Sequence, residues 1–424
     1  MFTKPVKIAI SFFSILILFV ILYFNHGLYY SPSLTTEDDV DVNEELLAEL
    51  RGVREALNKG ADREMQGLYP EGYLFMNSLY ALAWADFIEP IKDDPDLYLQ
   101  DAPNLYLESL SEKDIAYRKI DSDEGRAIFE SELPLPYGAF YNGWRNYILA
   151  RKLEIERVGR RKASDYEAFV NQCEAITLAI RQKETYLASY IDSTWPADEV
   201  MCVASLAIHD RIYIPRYDTI IKEWVQKIKG DLDGNGLIPH QVDARSSEII
   251  ESARGSSMSL MLAFLNDIDP TFARQQFEIY KKEFVDLRFG LPGIREYPKG
   301  TEGEGDVDSG PVIFGIGASA TIVGMRVFNE YDDRPVPVAI RNGIESFGMP
   351  VNFNGRKEYL FGMLPMADAF IAWAHASDPM FEKSNSTNAW WRFLFHFYSF
   401  LFASPFIFIL MRTFNFRFKK TSKK

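Results

Sequence analysis

The densest polar run in the chain is Arg295 to Pro311, REYPKGTEGEGDVDSGP, where Glu302, Glu304, Asp306 and Asp308 alternate with glycines. Carboxylates on such a loop can meet a ligand closely, because glycine puts no Cβ in the way. Asp308 and Ser309 also stand where they could cap a helix opening at Pro311, which is the ordinary role of such residues. A second run, STWPADEVMCVASLAIHD (193–210), places Asp198 and Glu199 just after Pro196, in what would be a first helical turn. Acids there suit the helix dipole, yet they are the only charged groups before a long apolar stretch. Two carboxyl groups at a fixed separation are what glycoside hydrolysis requires, and such a pair serves other proton transfers equally. Asp306 or Asp308 together with Asp198 is the expected catalytic set.

Two further runs have the shape of a lined mouth, with polar and aromatic residues giving way to apolar ones. YPEGYLFMNSLY (69–80) offers Glu71 after a proline, and PLPYGAFYNGWRNY (134–147) offers Tyr141, Asn142 and Trp144. With Arg295 and Tyr297 these are the expected substrate-binding residues: aromatic faces stack on sugar or terpenoid rings, although they fill cores as readily. No metal or cofactor is expected. DLDGNG (231–236) opens like a calcium loop, but the twelfth position is Val242 where a bidentate glutamate is needed. The histidines are scattered, and Cys173 and Cys202 make neither a zinc site nor a disulfide framework.

The elements that must carry these residues read as helices. Helix-length segments follow at 44–59, 72–89, 112–131, 137–158, 164–190, 197–212, 216–231, 252–267, 270–287, 311–329, 335–347 and 358–376, with stops such as Gly60, Gly230, Gly290 and Asp269-Pro270. Some are amphipathic: Tyr217, Ile220, Ile221, Trp224 and Ile228 share one face. Others, such as VMCVASLAI (200–208) and VIFGIGASATIVGM (312–325), are apolar nearly all round and must be buried on most sides. That mixture suits an inner ring of buried helices within an outer ring of amphipathic ones. The turn DLDGNGLIPHQVDA (231–244) resembles the D-x-D-x-x-G-L-I-P turn of (α/α) toroid proteins, among them the six-hairpin glycosidases. The resemblance is architectural and implies a mainly α fold, an (α/α) toroid of helical hairpins, without implying one activity.

The ends place this domain. Residues 1–25 hold an uncharged run from Ile8 to Phe24 after Lys4 and Lys7, long enough to cross a hydrocarbon core of about 30 Å. No small-residue cleavage site follows, so an uncleaved anchor is expected. An acidic stalk (26–43) leads to the domain proper (44–388). Residues 389–412 form a second uncharged span, from Phe393 to Met411, bordered by Trp390 and Trp391, and 413–424 is a basic tail. Basic flanks on both terminal sides put both termini in the cytoplasm and the domain outside, on a two-pass protein of the plasma or inner membrane. The chain has 46 basic and 60 acidic residues, and none of the acids lies in the terminal segments, so the domain is strongly acidic. Nucleic acid is excluded as a partner, since it needs a basic footprint. The expected partners are the bilayer and a carbohydrate or small-molecule substrate.

The leading expectation is a membrane-tethered, extracytoplasmic enzyme acting on a carbohydrate or glycoconjugate by carboxylate acid–base catalysis, a hydrolase first and an epimerase or lyase next. A second expectation keeps the fold and changes the substrate to a small apolar alcohol or isoprenoid, dehydrated or isomerised as in toroids similar to linalool dehydratase-isomerase. A third is a non-catalytic envelope scaffold or binding module. A pocket with few polar groups and with Cys202 facing it favours the second, and solvent-facing, isolated carboxylates favour the third.

Overall fold

The computed structural model describes residues 4–37, 40–91, 104–182, 186–307, 309–333, 335–378 and 390–413; Asp308 and the basic tail beyond Thr413 lie outside these. The protein is mainly helical. In chain order the principal helices are α1 (Lys4–Gly27), α2 (Glu44–Asn58), α3 (Ala61–Leu68), α4 (Gly72–Ile88), α5 (Asn104–Ile120), α6 (Gly138–Ile155), α7 (Ala163–Gln182) and α8 (Pro196–Ile212). After these come α9 (Asp218–Gly230), α10 (Gly255–Ile268), α11 (Pro270–Phe284), α12 (Ala318–Glu330), α13 (Pro335–Phe347), α14 (Pro365–His375) and α15 (Trp390–Thr413).

Helix α4 packs on α6, α6 on α8, α8 on α10, α10 on α12, α12 on α14, and α14 returns to α4. The reason lies in their composition. Every residue of α4 from Gly72 to Ile88 is buried, as are most of α6, α8 and α10, so these helices can be stable only when surrounded. The amphipathic helices cover them from outside. α5 packs on α4, α7 on α6, α9 on α8, α11 on α10 and α13 on α12, while α2 packs on α14 and α4. In α9 the buried set is Ile220, Ile221, Trp224, Val225 and Ile228, the face read from the sequence.

The departures from the expected segments have local causes. The segment expected at 112–131 is α5, which ends at Ile120 because Ser122 Oγ accepts the Gly125 N–H (3.1 Å) and starts a separate turn. The segment expected at 164–190 is helical only to Gln182; Leu187 N donates instead to Glu199 Oε2 (3.2 Å). The helix expected from Pro311 begins only at Ala318, after the hairpin β7 (Val312–Ile313)–β8 (Ile316–Gly317), whose tip turns through Phe314 (φ 52) and Gly315 (φ 80). β5 (Val285–Arg288) and β6 (Leu291–Ile294) form another hairpin, through Phe289 (φ 53) and Gly290 (φ 89). The acidic stalk carries a third, β1 (Leu34–Glu37) with β2 (Val40–Asn43). β3 (Gln241–Val242) pairs with β4 (Ile249–Glu251), and β9 (Val351–Phe353) with β10 (Arg356–Glu358).

α1 and α15 are each long and apolar enough to cross a membrane, with mean hydropathies of 2.5 and 1.9. They lie side by side. Asn25 Nδ2 donates to Ser399 Oγ (3.0 Å), and the Asn25 amide oxygen meets His396 Nδ1 (2.5 Å). The pair is fastened to the domain through α13, where Asn342 Nδ2 donates to Leu28 O (2.6 Å) and Ser346 Oγ to Phe24 O (2.6 Å).

Gly255, the first residue of α10, illustrates how tightly the loops are set. Its N–H donates to Glu296 O (2.8 Å), and a Cβ there would lie 1.9 Å from Arg295 O. Gly255→Ala is expected to lower stability by about 1–3 kcal/mol, because backbone rather than a mobile side chain must give way. A thermal melt of the detergent-solubilised protein checks this, and an unchanged midpoint would refute it.

Candidate functional site

A cavity of about 360 Å³ opens where the inner helices begin. Each supplies a residue from its first turns: Phe75 of α4, Phe140 of α6, Asp198 of α8, Leu260 of α10, Ile322 of α12 and Phe370 of α14. Those helix starts direct the positive ends of their dipoles toward the cavity, a field that favours electron-rich groups there. The walls are largely aliphatic and aromatic. The polar exceptions include Glu71, Tyr190, Asp198 and His240.

Glu71 and Asp198 are thus brought to one cavity. The Tyr190 hydroxyl donates to Glu71 Oε1 (2.5 Å). Burial and then the nearby charges of Glu71 and Asp198 push the Tyr190 phenol well above its ordinary pKa, so it stays a proton donor. Burial and the Arg254 guanidinium lower His240 to about 4, which leaves a neutral imidazole at neutral pH. Its Nδ1 is buried with no hydrogen-bond partner among the described residues, and a buried polar atom of this kind is costly unless something else satisfies it. Tyr190 and His240 were not among the expected site residues. His240 does lie in the LIPHQV part of the turn that carried the toroid resemblance, which was the one available signal.

Asp306 holds a loop. Its carboxylate pairs with Arg254 (Nη1–Oδ2 2.5 Å) and accepts the Ser309 N–H (2.8 Å), while Arg254 Nε also donates to the fully buried Glu296 (2.8 Å). Burial alone would raise the Asp306 carboxyl, but Arg254 and the Ser309 N–H outweigh it and hold the group at about 2. Val307 and Gly310 of this loop reach the cavity. Arg295 anchors the loop's base, donating to the Tyr297 and Thr301 carbonyls (3.0 and 2.8 Å), and Tyr297 donates to Glu304 O (2.9 Å).

The expected aromatic platform lies deeper. Trp144 is fully buried against Phe75 and Phe264 (ring centroids 5.0 and 5.9 Å), beneath the cavity floor. Tyr141 donates to Ile120 O (3.1 Å), and Asn142 Nδ2 to Pro136 O and Gly138 O (2.6 and 2.7 Å), so both fix helix ends. In the calcium-like turn, Asp233 accepts the N–H groups of Asn235, Leu237 and Ala253 (2.9–3.0 Å), which spends its carboxylate on the backbone.

Away from the cavity, Glu49, Glu345 and His375 bring metal-ligand atoms within 4.8 Å of one another. An ammonium already supplies the positive charge: Lys357 Nζ donates to Glu345 (2.7 Å) and lies 3.5 Å from Glu49. Beside this cluster, burial lifts Asp368 to about 7, against the Tyr359 N–H that its carboxylate accepts (2.7 Å). The folded pKa is above the ordinary aspartate value of 3.8. The stabilising protonated form is therefore fully present below that value and is lost as pH rises through about 7. Asp368→Asn keeps the acceptor oxygen and removes the titration. Its melting temperature is expected to fall less than the parent's between pH 5 and 8; parallel curves would refute the assignment.

Compared with known proteins, the chain matches no family model and no curated protein.

Proposed function

We propose that the protein is a membrane-tethered enzyme that dehydrates or isomerises a small, mainly apolar alcohol by acid–base catalysis between Glu71 and Asp198. The observation that carries this reading is the chemistry of the cavity wall, two carboxylates, a phenol and a neutral imidazole set in an aliphatic and aromatic lining. A volume of about 360 Å³ falls within the roughly 300–1,000 Å³ of small-molecule sites. A sugar would bring a hydroxyl on nearly every carbon, and each unpaired one would lose its water without replacement. An alcohol with a single hydroxyl needs only the polar groups present.

One carboxylic acid protonates the hydroxyl, the C–O bond breaks and water leaves. The other carboxylate then takes a proton from the adjacent carbon, giving an alkene. Returning water to a different carbon gives an isomeric alcohol, with no oxidant or reductant consumed. Tyr190 holds Glu71 in place, and the His240 imidazole is a further acceptor on the cavity wall. In this reading the closed circuit of inner helices is an (α/α) toroid, and the terminal helices span the bilayer with both ends cytoplasmic.

Carbohydrate hydrolysis keeps one supporting observation, that two carboxylates share a concave site. The test sets the substrates against each other. Purified full-length protein in nanodiscs is incubated with branched allylic alcohols and, separately, with aryl glycosides, and products are read by gas chromatography and absorbance. Alkene or rearranged alcohol is the expected result. Glycoside turnover would replace this reading, and turnover of neither class would leave a binding role. Topology is checked separately with cysteines at Leu34 and Thr413: a membrane-impermeant thiol reagent applied outside is expected to label the first only.

A further inference from the structure

Two paths of apolar side chains connect the cavity with the terminal helix pair. On the first, Gly310 and Pro311 line the cavity. The chain then enters the β7–β8 hairpin, and the Phe314 ring at its tip meets Phe289 (5.7 Å) at the tip of β5–β6. Phe289 in turn meets Tyr398 of α15 (6.0 Å), and a Cβ on Gly290 would come within 2.6 Å of Leu394. On the second, Leu364 lines the cavity and its loop is bonded back to α13, Leu360 N donating to Gly348 O (2.7 Å). The adjacent Phe347 stacks on Phe24 of α1 (4.7 Å).

These paths are paved with exposed side chains. Phe289 and Phe314 are 55% and 66% exposed, and Phe361 and Met363, on the second path, are 63% and 71% exposed. Large apolar groups gathered on the tips of turns mark an interaction surface. Depth identifies the partner. Tyr398 lies two helical turns into α15 and within its uncharged stretch Phe393–Met411, level with the Asn25–Ser399 bond that ties the two apolar helices together. Phe289 therefore stands beside a segment whose own composition calls for lipid. Arg288, ion-paired with Asp286 (2.7 Å), donates its Nε to Phe314 O (2.8 Å) and so holds the two tips together.

We infer that this face of the domain rests in the membrane interface, with Phe289, Phe314, Phe361 and Met363 inserted at the headgroup boundary, and that the cavity takes its ligand from the bilayer. The second half of this inference rests on the apolar-alcohol reading of the cavity and narrows it to substrates that partition into lipid. The surface is continuous with the apolar helices, which is why lipid, and not a soluble protein, is the occupant.

Nitroxide labels test the membrane face. F289C and F314C are prepared in the full chain and placed in phosphatidylcholine vesicles, with I214C as reference. Ile214 is 81% exposed just beyond the far end of α8, and the natural cysteines, Cys173 and Cys202, are buried and do not compete for label. The expected result is several-fold less access by an aqueous nickel chelate at 289 and 314 than at 214, with greater access by oxygen. Equal chelate access at all three sites overturns the membrane face. Excess retention of radiolabelled citronellol by protein-bearing vesicles over empty ones then tests the ligand. Lipid-buried labels without excess retention overturn the ligand claim and leave the membrane face standing.

Discussion

Glu71→Gln is expected to lower turnover of an apolar alcohol by about 10²–10⁴-fold, the usual worth of a positioned general acid or base. Glutamine keeps the length of the side chain and an oxygen that can still accept the Tyr190 hydroxyl, bonded at 2.5 Å in the parent. Glu71 is only partly buried at the start of α4, so the fold is little affected. What the amide lacks is a carboxyl that can give up a proton and take one back. The loss should therefore appear in kcat, with ligand affinity nearly unchanged, because the interaction removed is made in the transition state. Asp198→Asn should behave in the same way. Tyr190→Phe, which leaves Glu71 without its donor, should cost less and affect affinity as well. Glu71→Gln with parental kcat, in protein of parental melting temperature, would remove Glu71 from the reaction and take the acid–base proposal with it.

The readability of this chain from its sequence divided along physical lines. All-round apolarity marked α8, because a helix such as VMCVASLAI has no face to give to solvent, and one-sided apolarity marked α9 as an outer helix. The hairpins were illegible because their strands are two to four residues long and their burial does not alternate. VIFGIG reads as helix until Phe314 and Gly315 turn at positive φ. At the cavity, Glu71 and Asp198 were visible as acids at the starts of apolar helices. Tyr190 was not, since its partner Glu71 is 119 residues away and only the circuit of helices brings them together. The Asp306 loop was conspicuous for its charge, yet much of that charge is spent on Arg254 and Arg295, residues needed to hold the loop itself.

The other large effect lies at the opposite end of the inner helices, where the chain builds with charge. Asp86, near the end of α4, accepts from Arg151 of α6 (2.9 Å) and from Arg326 of α12 (2.6 Å). α4 and α12 are not neighbours in the circuit, so the Arg326 bond crosses it. Tyr147 of α6 likewise reaches Asp267 of α10 (2.8 Å) past α8. Between this layer and the cavity lies a sheet of rings, Trp144, Phe264 and Trp373, which keeps the two polar regions apart. Asp86→Ala removes the one carboxylate that the two guanidinium groups share, leaving Arg151 to Glu89 and Glu154 and Arg326 to Glu330, and is expected to cost about 1–3 kcal/mol, the penalty for leaving buried charged donors short of one acceptor. The exposed pair Arg63–Glu124 (2.6 Å) provides the contrast, because water screens such a pair and its removal should leave the unfolding midpoint nearly unchanged. Asp86→Leu combined with Arg151→Met and Arg326→Met should deepen the loss, since Glu330 then loses Arg326 (2.7 Å) and Glu154 loses Arg151, which leaves buried carboxylates short of counter-charge. Denaturant unfolding in detergent measures all three variants. A loss as small as that of the exposed pair would mean that water enters this end of the circuit, and the charged layer would then be the lining of a second opening.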